Sequence, residues 1–502
     1  RETMDSLVFL VGWLWGMGIA SAQETGPVIE DAPGHSQWVP TVLLRWPSTE
    51  GPPAATCAET LAALESKPVK PAGRTNRHRP PHPDPTGMEE IVVGEQAKLV
   101  SEVPGANPDS LPLQPIEGSA EALRQIQQVW AKGEAGEDVR VSVFGASHTG
   151  ADLWTGQIRR VLQDRWGDGG HGFVLPAALY KGYRGNDVNL CRTDGWLSDW
   201  QGKANGHEDG WLGFAGMSVS SSNPDDFGWV ETTHTNPHGR KVEWVDVYYL
   251  GHPDGGTLEV SVDGQPAVSV ATAAAELGLR RLRVELTDGS HRIAFSPQGD
   301  GVVRLFGVSM ERGNSGALVD AMGVRGREAR TWLGWNREHW VSGIRAMDPD
   351  LVVLAYGTNE AADQSYDMDS YRQDLRKVMG MLREGIGDQT ACLLAGPSDR
   401  GMKLGGARYA IWDRTALVAQ VQREVATEFG CGFWDWQEAT GGPGSMVAWH
   451  LQKEPLAAGD LIHFTRAGYY RLGSALVDAI DAIPGGSDGP ATTEPSDEVQ
   501  PD

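Results

Sequence analysis

A serine standing directly after an apolar run is the first residue in this chain whose position suggests chemistry. Ser147 lies in Gly145-Ala146-Ser147-His148-Thr149, between the apolar residues 139–144 (VRVSVF) and a stretch with helical spacing. A hydroxyl there stands at the carboxyl edge of a sheet, and the serine N–H belongs to a helix N-terminus, where negative charge is favoured. That is a nucleophile position with part of an oxyanion hole supplied, although Ser147 or Thr149 could equally do no more than cap the helix. A hydroxyl is a poor nucleophile until an imidazole removes its proton, and the imidazole needs a partner on its other nitrogen. Asp460-Leu461-Ile462-His463 offers both groups within one turn of chain. Taken alone, such a pair arises by chance in polar loops. Gly357-Thr358-Asn359 sets a carboxamide donor after a second apolar run, and Gly216, in Gly213-Phe214-Ala215-Gly216-Met217, could present a bare N–H to the same oxyanion. Each of these is also an ordinary turn.

The surrounding pattern alternates strand and helix. Ser119 can cap a helix carrying Leu123, Ile126 and Trp130; residues 139–144 read as a buried strand, followed by a helix with Trp154, Ile158 and Val161 that stops at Gly167. Residues 351–356 (LVVLAY) and 391–395 are further strands, each followed by a helix, the first carrying Tyr371, Leu375, Val378 and Leu382 and the second Val418, Val421 and Val425. A short strand around Phe433 and a last helix from Thr465 complete the series. This rhythm implies an α/β domain with a mainly parallel sheet covered on both faces, whose sites form at the carboxyl ends of the strands. Residues 223–312 break it with short alternating strands and with Asp263-Gly264 and Asp288-Gly289 as hairpin turns, an inserted all-β sandwich. Trp229, Trp244, Tyr248 and Tyr249 in it could stack on sugar or fill its core, and Trp434, Trp436 and Trp449 could line a pocket or be core.

The chain has 502 residues and a net charge of -24, so its surface should repel polyanions and a nucleic-acid partner is not expected. Residues 7–20 (LVFLVGWLWGMGIA) are too short for an ordinary transmembrane helix and precede Ala20-Ser21-Ala22. Residues 1–22 therefore read as a signal peptide, with an uncleaved anchor as the alternative, and the mature chain as periplasmic or secreted. Residues 23–115 hold many of the prolines and read as a flexible linker, in which His78 and His82 are solvated; residues 486–502 read as a disordered acidic tail. Cys57, Cys191, Cys392 and Cys431 lie far apart, and their pairing is not readable from spacing. The histidines and aspartates fall at no familiar ligand spacing, which argues against a metal-dependent deacetylase.

Taken in order, Ser147, Gly216, Asn359 and Asp460/His463 resemble the four blocks of the SGNH (GDSL-type) hydrolase superfamily, over roughly residues 116–485. Within it, GASHTGADLWTGQIRRVL, DGWLGFAGMSV and DLIHFTRAGYYRLG resemble bacterial cell-envelope polysaccharide O-acetylesterases, the peptidoglycan O-acetylesterases above all, which carry a carbohydrate-binding-module-like insertion. The resemblance implies a flavodoxin-like three-layer α/β/α hydrolase domain over 116–222 and 313–485, acetyl ester hydrolysis and no cofactor. It implies that Ser147 attacks, His463 is the base, Asp460 orients it, and Ser147 N–H, Gly216 N–H and Asn359 hold the oxyanion. One departure is Ala146, where the family usually has aspartate. The expected function is removal of O-acetyl groups from a glycan. Acetyl transfer between glycans with the same triad, or sugar binding without catalysis, would leave the same marks on the sequence.

Overall fold

The computed structural model describes residues 27–31, 38–59, 88, 90–92, 111–175, 185–203, 206–313, 316–406 and 408–484. The expected signal peptide and acidic tail lie outside the described residues.

Five strands, β1 (Val139–Gly145), β2 (Ala317–Gly323), β3 (Leu351–Ala355), β4 (Ala391–Ala395) and β5 (Gly432–Trp434), form a wholly parallel sheet in the order β2-β1-β3-β4-β5. Every residue of the five is buried, in keeping with the near-continuous apolar runs of β3, β4 and β5, while β1 buries Arg140 and Ser142 and β2 buries Asp320 among their apolar residues. The order 2-1-3-4-5 is the doubly wound, flavodoxin-like one. Helices α1 (Ala120–Glu134), α2 (Trp154–Trp166) and α6 (Arg466–Asp481) supply Ile126, Trp154, Ile158 and Leu472 to the core on one face. Helices α3 (Arg337–Met347), α4 (Met368–Ile386) and α5 (Arg414–Glu428) supply Trp340, Leu375 and Val418 to the other. Ser119, the cap read from sequence, accepts at Oγ from Ala122 N at 3.2 Å, and the last helix starts where expected, with Thr465 Oγ1 accepting from Gly468 N at 3.3 Å.

Strand β2 escaped the sequence reading because an aspartate sits in its middle. Asp320 is fully buried and accepts from Arg140 Nε at 2.9 Å, Ser142 Oγ at 2.7 Å and Phe173 N at 2.7 Å. Arg140 also donates to Glu311 at 2.9 Å, so one buried ion cluster ties β1 and β2 to a sandwich strand. Asp320→Ala leaves the buried Arg140 guanidinium with only Glu311 and Ser309, takes the acceptor from Ser142 Oγ and Phe173 N, and should cost about 3–5 kcal/mol, read as a shift in a denaturant unfolding midpoint. A loss below about 1 kcal/mol would contradict a role for this cluster in joining the two units.

The β unit is larger than expected. One sheet runs Val28–Asp31, Thr41–Arg45, Gly278–Gly289, Val242–Gly251, Val303–Glu311, Met217–Ser221, Leu197–Trp200, with Gly172–Val174 beside Val303–Glu311; the other runs Val268–Ala271, Thr257–Val262, Arg292–Pro297, Gly228–Thr232, Val188–Arg192. The sandwich therefore begins well before residue 223, its early strands being too short and too polar to show a period. Asp263-Gly264 sits at the expected hairpin turn, with positive φ at both residues and Gln265 N donating to Val262 O at 2.9 Å, within a 263–267 connection between the paired strands. Asp288-Gly289 does not. It ends a strand of the first sheet, and the chain then crosses into the second, because the two flanking strands pair with different neighbours. The linker expectation is also corrected for residues 28–31, which join the first sheet, for 90–92, which pair with Arg408–Ile411, and for 38–59. Thr41–Arg45 pairs parallel to Gly278–Gly289, Leu43 and Leu44 are buried, and a disulfide joins Cys57 to Cys191. Apolar residues within a proline-rich stretch can still add one edge strand where proline leaves the ladder free. The second disulfide, Cys392–Cys431, links β4 to the residue before β5.

Candidate active site

Strand β1 delivers Ser147 to the carboxyl edge of the sheet. Ala146 is the cap of a short helix, Ser147–Gly150, and Ser147 is its first residue, so its N–H has no partner within the helix. The Ser147 hydroxyl is not spent on capping. Its Oγ lies 2.8 Å from His463 Nε2, and His463 Nδ1 lies 2.7 Å from Asp460 Oδ2. A carboxylate only accepts, so Nδ1 carries the proton and Nε2 faces the serine with its lone pair. The other oxygen of Asp460 accepts from Ile462 N at 3.1 Å and His463 N at 3.0 Å, which makes the D-x-x-H segment a self-clamped loop. Burial pushes the Asp460 carboxyl up, but the hydrogen bonds from the His463 side chain and backbone outweigh it and hold the group well below the usual carboxylate range. Asp460 therefore stays charged, as an orienting anion must. A hydroxyl, a basic nitrogen and a fixed anion in this order can activate an oxygen nucleophile for acyl transfer.

Asn359 leaves the neighbouring strand β3, whose Ala355 pairs with Gly145. One N–H of its carboxamide is held by Arg327 O at 2.8 Å, which fixes the plane and leaves the second N–H to donate. The preceding Gly357 has φ of 119°, a conformation that favours glycine. Glu360, fully buried, accepts from Gly357 N at 2.9 Å and Ala329 N at 2.7 Å, pinning this loop from beneath; burial pushes its carboxyl up to about 7. Gly216 also has positive φ, 74°, and a Cβ there would lie 2.2 Å from the Trp335 ring. Trp335 stacks on Trp332, which packs edge-on against Phe144 of β1, so an aromatic chain connects Gly216 to the nucleophile strand. The Gly216 N–H itself closes a turn onto Gly213 O at 3.2 Å, the long limit for such a bond, so serving an oxyanion requires that bond to be shared or exchanged. Gly216→Ala should destabilise the fold by about 1–3 kcal/mol through strain and the clash with Trp335, checked by thermal unfolding.

Several residues at the site were not singled out from sequence. His148, beside Ser147, is buried with its ring 5.3 Å from that of His463; its nitrogens meet Tyr469 Oη at 2.8 Å and Ser398 Oγ at 3.2 Å. Burial, reinforced by the His463 ring, pushes its pKa down to about 3, so it is a neutral packing partner of the catalytic-type imidazole rather than a second base. Adjacency to Ser147 was the only clue to it. Trp434, Trp436 and Trp449 are fully buried, and Trp436 stacks on Phe464, so they form the wall behind the site and not its pocket. Trp229, Tyr248 and Tyr249 are likewise buried; the Arg292 guanidinium lies 4.2 Å over the Trp229 ring, and Trp244 has Arg283 at 5.1 Å. Sugar stacking on these four has no open ring face of Tyr248 or Tyr249 to use. Among the described residues no group of three metal-ligating side chains occurs, and no helix is long and apolar enough to cross a membrane.

A doubly wound parallel sheet bearing these groups at its carboxyl edge defines an SGNH (GDSL-type) hydrolase domain, and the protein is a carboxylic ester hydrolase. Residues 286–471 match the GDSL-like Lipase/Acylhydrolase family, a stretch that includes Asn359, Asp460 and His463. The fold is similar to a solved structure described as "Peptidoglycan O-acetylesterase in action, 5 min", at 25% identity and a TM-score of 0.60 over 74% of this chain and 98% of that one. Other solved structures match with TM-scores too low to argue from. They include a salicylyl-acyltransferase from a tetracycline biosynthetic pathway (14% identity, 60% of this chain and 95% of that one, TM-score 0.26). A family two carbohydrate esterase from Clostridium thermocellum matches at 13% identity over 57% of this chain and 98% of that one, TM-score 0.24. No curated protein sequence matches the chain.

Proposed function

We propose that this chain is an exported O-acetylesterase acting on a cell-envelope or extracellular glycan, peptidoglycan foremost, through Ser147, His463 and Asp460. The observation that carries the reading is the continuous relay from Ser147 Oγ through His463 to Asp460, at 2.8 and 2.7 Å. Ser147 Oγ attacks the acetyl carbonyl carbon as its proton passes to His463 Nε2, and the imidazolium is stabilised by Asp460. In this mechanism Ser147 N–H, the second N–H of the Asn359 carboxamide and Gly216 N–H serve as the oxyanion donors; each such donor typically contributes on the order of 3 kcal/mol in the transition state. Collapse expels the sugar oxygen, which takes the proton back from His463, leaving an acetyl-serine. Water, deprotonated by His463, attacks that ester; collapse breaks the bond from the acetyl carbon to Oγ, Ser147 Oγ takes the proton back from His463, and acetate leaves. All of this uses groups of the chain itself.

The similarity to a peptidoglycan O-acetylesterase supports the choice of acetyl ester and glycan. Two disulfides support an oxidising compartment, in keeping with the export signal read from residues 1–22. Acetate release should be measured from O-acetylated peptidoglycan beside acetylated hemicellulose and exopolysaccharide, with a serine-directed phosphonate as covalent probe. Labelling of Ser147 together with fastest release from peptidoglycan is expected. A chain that binds these glycans but releases no acetate and takes no label would leave sugar binding as its role.

A further inference from the structure

We propose that Arg400 and Lys403, on the hairpin that follows β4, form a subsite for a carboxylate carried by the acetylated glycan, next to the Asp460–His463 loop. This rests on the esterase reading and narrows its substrate to an anionic glycan. The hairpin strands Gly401–Gly405 and Arg408–Ile411 are tied to that loop by Gly401 N donating to Leu461 O at 2.9 Å. Arg400 Cζ lies 4.8 Å over the ring of Trp412, itself buried and fixed by its indole N–H to Ala361 O at 2.7 Å. The ammonium of Lys403 lies 4.0 Å from the position a Cβ on Gly459 would take, immediately before Asp460.

Many arginines of this protein face a carboxylate, as Arg140 faces Asp320 and Arg159 faces Asp152. Among the described residues neither Arg400 nor Lys403 has a carboxylate within ion-pair distance or an acceptor for its side-chain N–H groups. Burial lowers the pKa of Arg400 and the charge of Asp460 opposes this; the part-buried guanidinium is held over the Trp412 ring with no side-chain acceptor of its own. A guanidinium placed over a ring in this way keeps N–H groups to donate to a planar anion. The local charge also matters: in a chain of net charge -24, with Asp460 ionised at the site, a carboxylate substrate would be repelled without cations at the rim.

The test compares the full chain with Arg400→Ala, Arg400→Lys and Lys403→Ala on a neutral ester, 4-nitrophenyl acetate, and on two anionic substrates. One is an O-acetylated uronic-acid oligosaccharide, the other an O-acetylated muropeptide before and after amidase removes its peptide. The ratio of kcat/KM on anionic to neutral ester should fall about tenfold to a hundredfold in Arg400→Ala, less in Lys403→Ala, which is exposed and will fold, and its salt dependence should shrink. Loss of the effect on amidase treatment places the recognised carboxylate on the peptide; persistence means that the lactyl carboxylate which the amidase exposes on the sugar also fills the subsite. A ratio unchanged in every variant, or losses equal on neutral and anionic esters, overturns the subsite, the latter making Arg400 a positioning residue for Asp460. A wild-type chain that hydrolyses none of the esters instead removes the esterase reading itself.

Discussion

Ser147→Ala is expected to reduce acetate release by about 10^4–10^6-fold while the protein still folds. The asymmetry follows from where the hydroxyl's bonding goes. Its hydrogen bond is to His463 Nε2, and the short helix it begins is capped by Ala146 without side-chain help. Removing Oγ therefore deletes the nucleophile but breaks no cap and leaves no buried donor orphaned, so the melting temperature should move by only a few degrees, as about 1 kcal/mol would require. The backbone donors survive the substitution, so a residual rate above that of water is expected, with no acetyl-enzyme on the way. Mass spectrometry after rapid quench would show acetylation of residue 147 in the native chain and none in the variant. A variant that keeps a tenth of the native kcat would remove Ser147 from the mechanism.

Asp460→Asn should cost about 10^4-fold in kcat at neutral pH, through geometry preserved and polarity reversed. The carboxamide can still reach His463 Nδ1, but its NH2 donates where the carboxylate accepted, which favours the tautomer with a proton on Nε2. That proton then faces Ser147, and the base is lost. The same substitution tests the pH behaviour. Because Asp460 is held below the ordinary carboxylate range, acidification to pH 5 leaves it ionised, so the orienting anion is not lost over that range. In sign terms, a depressed carboxylate pKa adds stability that is present above its unfolded value and is lost only as pH falls through the depressed one, so this pair helps hold the loop through the whole working range. Measured from pH 4 to 9, kcat/KM of the native chain should show no limb from Asp460. A limb near pH 4, the range of an ordinary carboxylate, that is missing in Asp460→Asn would mean that Asp460 titrates normally and is not clamped as described.

Strong local signals were readable without coordinates. Strands β1, β3 and β4 are short runs rich in apolar residues between turns, and the helices carry apolar residues at helical spacing, the first with Ser119 as cap and the last starting near Thr465. Ser147 and Asn359 could be placed at strand ends because a parallel sheet puts its loops there. Asp460 and His463 are three residues apart, so their contact is a local matter of one turn. Features that need partners distant in sequence were not readable. Asp320 hides β2 because only the guanidinium of Arg140 makes a buried aspartate tolerable in a strand. Residues 38–59 look like tether because their strand is stabilised by an edge supplied some 240 positions later. The proton path between Ser147 and His463 spans 316 positions, and folding alone brings that hydroxyl and that imidazole to 2.8 Å. A pattern of side chains sets which groups can react and what each strand or helix buries. Which of them meet depends on how helix and sheet layers stack, a sum of many weak contacts that no single stretch of chain contains.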